Sequence, residues 1–179
     1  DAHTANPGDL SWEGLDALGE FVVHERTPPE QVVERCQDAE VVLTNKALLP
    51  AEAISQLPSL KYIGVVATGV NIVDLEAAKE AGVTVTNVPG YSTDSVAQLV
   101  FALILELASR VGSHSSAVAE GAWERCADFS FTTGPNVEMA GKRIGLVGFG
   151  AIGQATAKIA DAFGMEVVVY NRTREKVVG

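Results

Sequence analysis

The sequence predicts an α/β protein built on parallel strands. Three observations carry that expectation. Short β-branched runs alternate with helical runs along most of the 179 residues, and such alternation implies right-handed crossovers between parallel strands. One run, LKYIGVVAT, is nearly continuous in apolar residues, as suits a strand covered on both faces. Toward the end of the chain, RIGLVGFGAIGQATAKIADAFGMEVVVYNRTR reads as strand, glycine turn, helix and strand.

The elements follow in order. The chain opens in a polar turn, TANPGD, and a helical pattern, SWEGLDALGE. In βα alternation a strand precedes that helix, so one is expected before Asp1. Residues 21–24 (FVVH) read as a short strand. In PPEQVVERCQDAE, Pro28 and Pro29 open a helix whose Val32, Val33 and Cys36 share a face. EVVLT is the next strand, and PAEAISQLP is a short helix closed by Pro58. After LKYIGVVAT comes VDLEAAKEAG, a helix with Gly82 at its end, and then the strand VTVTNV.

A long helix is expected from about Thr93 to Val111, with Ser95 and Gln98 as a capping box. Val96, Leu99, Val100, Leu103 and Leu107 form its core stripe, while Phe101, Ile104 and Leu105 fill other faces. A helix apolar on most sides is expected to be buried on most sides, wedged between two lobes. HSSAVAEGAW reads as a second helix, and DFSFTTGPNVEMAGK as an irregular connection. The expected division is residues 1–92, a connecting region 93–140, and residues 141–179.

Composition excludes several classes. With 47% apolar and 20% charged residues the chain supports a packed core. A net charge of -10 argues against nucleic acid, which demands clustered Lys and Arg. No apolar run reaches membrane-spanning length, and DAHTANPGDL lacks a signal peptide's basic start and apolar stretch. Cys36 and Cys126 have no metal-ligand spacing. The expectation is a cytoplasmic protein with free thiols, no metal and no membrane partner.

Gly148, Gly150 and Gly153 match GxGxxG between an apolar strand and an apolar-periodic helix. Gly148 permits the tight turn, Gly150 lets a pyrophosphate approach the backbone, and Gly153 allows close helix–strand contact. The free amides of the helix start, Ala151 and Ile152 among them, would hold the diphosphate. The second strand ends at Asn171, where an acid would meet the ribose hydroxyls of NAD. Asn does not repel a 2′-phosphate; Arg172 and Arg174 could pair with one, and Thr173 could donate to it. This favours NADP over NAD. Solvated loop arginines are the other reading of the same residues.

Three stretches together carry a family resemblance: LKYIGVVATGVNIVD, NVPGYSTDSVAQ and GKRIGLVGFGAIG. The chain resembles the D-isomer-specific 2-hydroxyacid dehydrogenases along its whole length. TNKALL and NPGDLSW look closest to the glycerate dehydrogenase (hydroxypyruvate reductase) branch. The resemblance implies a flavodoxin-like substrate domain in residues 1–92 and the first βαβ unit of a Rossmann domain in residues 141–179. It implies that the backbone amides of Thr68 and Gly69 bind the substrate carboxylate. Lys46 would attract the anion, and the backbone near Val96 would approach the cofactor phosphates. A strand-ending turn, a solvated lysine and a plain helix start are the alternatives at these positions.

The family's catalytic Arg, Glu and His are expected downstream of the second Rossmann strand, so no catalytic residue is assigned in this chain. His3, His24 and His114 are not recruited in their place, because a His without an identifiable partner is usually structural or solvated. The implied activity is hydride transfer between NAD(P)H and a small 2-oxoacid such as hydroxypyruvate or glyoxylate, in a protein that is a homodimer when intact. The 179 residues alone are expected to be inactive. One βαβ unit has too few neighbours to cover both sheet faces, so apolar surface is expected near Val147 and residues 167–169. A corepressor-like module that senses NAD(H) without chemistry is the alternative.

Overall fold

The strands pair into two separate sheets, one in each of two units, Asp1–Tyr91 and Ser92–Gly179. The computed structural model describes residues 1–173, so Arg174 lies outside the described residues.

In the first unit a short helix, α1 (Glu13–Asp16), follows the N-terminal turn. Pro29 sets φ for a 3-10 turn, Pro29–Gln31, that leads into α2 (Val32–Cys36). Then come β1 (Val41–Thr44), α3 (Ala51–Ile54), β2 (Tyr62–Val65), α4 (Leu75–Glu80) and β3 (Thr84–Asn87). The sheet order is β1-β2-β3 and every pairing is parallel, with Thr44 opposite Val65 and Val65 opposite Asn87. The three strands therefore end on one common edge. Consecutive buried residues Ile63, Gly64 and Val65 show that β2 is covered on both faces, as its unbroken apolar run requires. Leu49, Ile54, Leu57, Leu60 and Val83 complete the core around it.

Local chemistry sets the helix ends. Asp74 Oδ1 accepts the Ala77 N–H at 3.0 Å and caps α4. At the other end Gly82 N–H donates to Lys79 O and Val83 N–H to Ala78 O, the paired bonds of a Schellman motif. Val83 and Ala78, both buried, seal that turn.

Residues 21–24 form no strand, contrary to their composition. Ala2 N–H donates to His24 O at 2.9 Å and His3 N–H to Glu25 O at 3.3 Å. Among the described residues the segment meets a turn rather than a neighbouring strand, and β propensity becomes a ladder only beside a matching row of donors and acceptors.

The second unit starts with α5 (Thr93–Ser109) and α6 (Val111–Ala119). The expected single helix to Val111 stops two residues early because Arg110 is left-handed, φ +53°. Its Nε donates to Pro135 O at 3.3 Å, which holds the irregular connection against the break. Then come β4 (Arg143–Val147), α7 (Ala151–Ala162) and β5 (Glu166–Tyr170), the two strands parallel and in register from Arg143–Glu166 to Val147–Tyr170.

Two expectations for α5 fail. The helix starts at Thr93 with Ser92 as N-cap, so Ser95 lies inside the first turn and no capping box forms. Ser92, Thr93, Asp94 and Ser95 are four cap-competent residues in a row, and spacing alone does not choose among them. The buried face is Ala97, Phe101 and Ala108, while Leu99, Leu103 and Leu107 of the expected stripe are exposed, Leu107 at 81%. Small alanines let α7 approach, and Phe101 stacks on Phe163 with ring centroids 5.3 Å apart. Among the described residues no single helix is long and apolar enough to cross a membrane.

Among the described residues the β4–β5 sheet is covered on one face only. Ile144, Leu146, Val167 and Val169 are half-buried on the side of α7. Val147 is 89% exposed and Tyr170 71%, and Val168 lies on the same bare face. The exposed surface expected near Val147 is present, with Val168 as its partner; Val167 and Val169 are on the covered side.

Candidate functional site

The turn between β4 and α7 assigns different work to its three glycines. Gly148 has φ +97°, a conformation that disfavours any side chain. A Cβ on Gly153 would lie 2.5 Å from the Gly148 carbonyl oxygen, so the close helix–turn contact excludes one. Gly150 is different. Its φ is -74°, and a Cβ there would meet no atom of the described residues within 4 Å. The protein's own packing accounts for Gly148 and Gly153 but gives no reason for Gly150. An open space at a glycine is what close approach of a ligand to the backbone requires.

Beside it lies a crevice of about 460 Å³ whose lining includes Gly148, Phe149, Gly150, Asn171, Arg172 and Thr173. Among the described residues the N–H groups of Gly150, Ala151 and Ile152 find no protein acceptor. They sit at the positive end of a 12-residue helix and present donors to an anion. The residues present fit a dinucleotide diphosphate: open amides, an uncrowded glycine and no acidic side chain among the crevice residues.

Hydrogen bonds shape the turn. Phe149 N–H donates to Asn171 Oδ1 at 3.4 Å, and Asn171 Nδ2 donates to Thr173 O at 2.7 Å. Gln154 Nε2 donates to Phe149 O at 3.2 Å. Sequence reading placed Asn171 at the strand end but did not find these bonds, because nothing in the spacing shows which way a side-chain amide turns. The amide of Val96 is also committed, donating to Ser92 O at 2.9 Å. The amides open at the start of α5 are those of Thr93, Asp94 and Ser95.

In the first unit Lys46, Thr68 and Gly69 all follow strand ends on the common edge of the sheet, outside which parallel α/β sheets bind ligands. Asn87 Nδ2 donates to Thr68 O at 2.7 Å, fixing the peptide that precedes Gly69. Neither the Thr68 nor the Gly69 amide finds an acceptor among the described residues. Asn87 was missed in the sequence, although its place at the end of β3 was readable. The loop after β1 holds a carboxylate already: Asp1 accepts from the amides of Asn45, Lys46 and Ala47. Three successive amides on one carboxylate form a nest, and the Lys46 residue itself is exposed.

The histidines stay outside this chemistry. Burial, and then the Arg35 guanidinium, hold His24 below the ordinary imidazole range, which favours the neutral form rather than a proton donor. His114 is occupied at both ring nitrogens, Nδ1 against Arg110 O at 2.9 Å and Nε2 accepting from Thr133 N–H at 3.2 Å. Burial raises the Cys36 thiol, so it behaves as an inert core group. Among the described residues no cluster of His, Cys, Asp or Glu could hold a metal.

Comparison with known proteins gives a consistent picture. Residues 6–176 match the family described as D-isomer specific 2-hydroxyacid dehydrogenase, catalytic domain. A hydroxypyruvate reductase of Blautia hydrogenotrophica is 47% identical over 174 residues, 96% of this chain and 54% of that protein. A glycerate dehydrogenase of Methylorubrum extorquens is 37% identical over 90% of this chain and 54% of its own length. Among solved structures, the TT0316 protein of Thermus thermophilus superposes with a TM-score of 0.74 at 33% identity, covering 92% of this chain and 54% of that one. An acyclic imino acid reductase solved in complex with NADPH and D-Arg gives 0.71 at 27% identity, over 94% and 54%. The chain thus spans about half the length of the relatives it matches.

Proposed function

The chain belongs to the D-isomer-specific 2-hydroxyacid dehydrogenase family, and on that premise we propose that the full-length protein is an NAD(P)-dependent oxidoreductase acting on hydroxypyruvate or glyoxylate. The observation that carries the cofactor half of this reading is Gly150, a glycine without a packing reason beside unpaired amides. The substrate half rests on the similarity to hydroxypyruvate and glycerate enzymes.

Each group present has a role in this reading. The amides of Gly150, Ala151 and Ile152 hold the diphosphate, with the open amides of Thr93, Asp94 and Ser95 at the α5 start, one turn before Val96, as a second contact. The Thr68 and Gly69 amides hold the 2-oxoacid carboxylate, and Lys46 draws the anion toward the sheet edge. The nicotinamide supplies or accepts the hydride. The Arg, Glu and His that grip the carboxylate and move the proton belong to the remainder of the protein, so residues 1–179 alone have no turnover. Arg172 and Thr173 favour NADP, with Asn171 in place of the acid that would suit NAD. A homodimeric, cytoplasmic enzyme with a small-molecule substrate completes the reading.

The test is a rate comparison on the full-length protein, with NADH and NADPH, across hydroxypyruvate, glyoxylate and pyruvate. The expected result is turnover of hydroxypyruvate or glyoxylate in preference to pyruvate. Tight cofactor binding with no turnover on any 2-oxoacid would contradict it and support the NAD(H)-sensing corepressor-like module instead.

A further inference from the structure

On the reading of the β1-β2-β3 sheet edge as the 2-oxoacid site, we infer that Asn87 is a positioning residue for the substrate carboxylate. Its side-chain amide aims the Gly69 N–H by holding the carbonyl at the other end of the same peptide. Asn87 is the last residue of β3, which pairs in parallel with β2. Past the end of β2, bonds between the two strand ends take over from the ladder. Val88 N–H donates to Ala67 O at 3.1 Å, Asn87 Nδ2 to Thr68 O at 2.7 Å, and Thr68 Oγ1 to Val88 O at 3.4 Å. The shortest of these comes from the Asn87 side chain. Thr68, Gly69 and Asn87 are all exposed, so hydrogen bonds rather than packing fix the peptide between Thr68 and Gly69.

A trans peptide points its C=O and its N–H in opposite directions. With the Thr68 carbonyl drawn toward the end of β3, the Gly69 N–H faces away from β3, and it finds no acceptor among the described residues. A carbonyl that accepts a hydrogen bond also polarises its peptide, which makes the N–H a stronger donor to an anion. Asn87 thus sets both the direction and the strength of a donor it does not itself carry. Alanine at position 87 leaves the Thr68 carbonyl to water and frees the peptide to turn. Aspartate has no donor for that carbonyl, and it adds a negative charge beside an anionic substrate. Because the site is exposed, neither change opens a cavity, and both variants are expected to fold.

The test uses the full-length protein with N87A, N87D and D74A. The last removes the α4 cap and serves as a control for general loosening of the first unit. Calorimetry gives dissociation constants for NADH and NADPH, and for oxamate, a non-reducible 2-oxoacid mimic, on the cofactor-loaded protein. Steady-state rates with glyoxylate and hydroxypyruvate give KM and kcat. N87A should weaken oxamate and raise KM for both acids about tenfold, the loss of a well-aimed bond to a charged group. Its kcat should change less than its KM, and its cofactor affinities should match wild type. N87D should lose more oxamate affinity than N87A. D74A should lower the melting temperature and keep wild-type oxamate affinity. Unchanged oxamate affinity in N87A and N87D, or an equal loss in D74A, would overturn the role of Asn87. A wild-type protein that binds cofactor but neither binds oxamate nor reduces a 2-oxoacid would overturn the substrate reading, and this role with it.

Discussion

The two sheets of this chain have the same parallel geometry and opposite surroundings. In the first unit β2 is buried on both faces, and Ile63 and Val65 are almost fully removed from water. In the second unit β4 and β5 alternate between half-buried and exposed, and Val147 is nearly as open as in an extended chain. All three strands are rich in apolar residues, YIGV in one unit, RIGLV and EVVVY in the other, the last two each opening on a single charge. The difference teaches that β-branched composition specifies a strand but not its cover. Cover comes from what packs on the faces: helix and loop residues such as Leu49, Ile54, Leu57 and Val83 join Ile63 and Val65 in one core, whereas among the described residues α7 is the helix that packs on β4 and β5.

Substitutions sharpen that contrast. The largest effect is expected from Ile63→Ala, which leaves a cavity in a fully buried core and should cost about 2–5 kcal/mol. Chemical denaturation of the full-length protein measures it, and a loss below about 1 kcal/mol would show that the first unit is less tightly packed than described. A smaller effect is expected from Asp74→Ala, which removes the α4 cap and should cost about 1 kcal/mol by the same measurement. The smallest belongs to Val168→Thr on the bare face, within about 0.5 kcal/mol of wild type if that face meets solvent in the full-length protein. A loss as large as that of Ile63→Ala would show that another part of the protein covers it.

Much of this was legible in the sequence, and the failures have a common cause. The strands after residue 40 and the strand–turn–helix–strand of the second unit were readable from period and glycine placement, because both are local properties. The face that α5 buries was not. Its leucines outnumber its alanines, yet Ala97, Phe101 and Ala108 face inward, since α7 needs small residues to come close. Periodicity groups positions by face without saying which face meets a neighbour. The same limit hid the bonds of Asp1 to the 45–47 loop and of Asn171 to Phe149, both of which join residues distant in sequence. In the glycine motif the pattern alone treats three residues alike, and only the space around each separates Gly150 from the other two.

That separation is the central claim, and Gly150→Ala tests it most directly. The backbone at this position accepts alanine, and its methyl group would meet no atom of the described residues within 4 Å. In the full-length protein the melting temperature without cofactor should therefore match wild type, while calorimetry should show affinity for both NADH and NADPH reduced at least about tenfold, since the methyl group occupies the diphosphate's approach. Undiminished affinity in a normally folded Gly150→Ala protein would contradict the account.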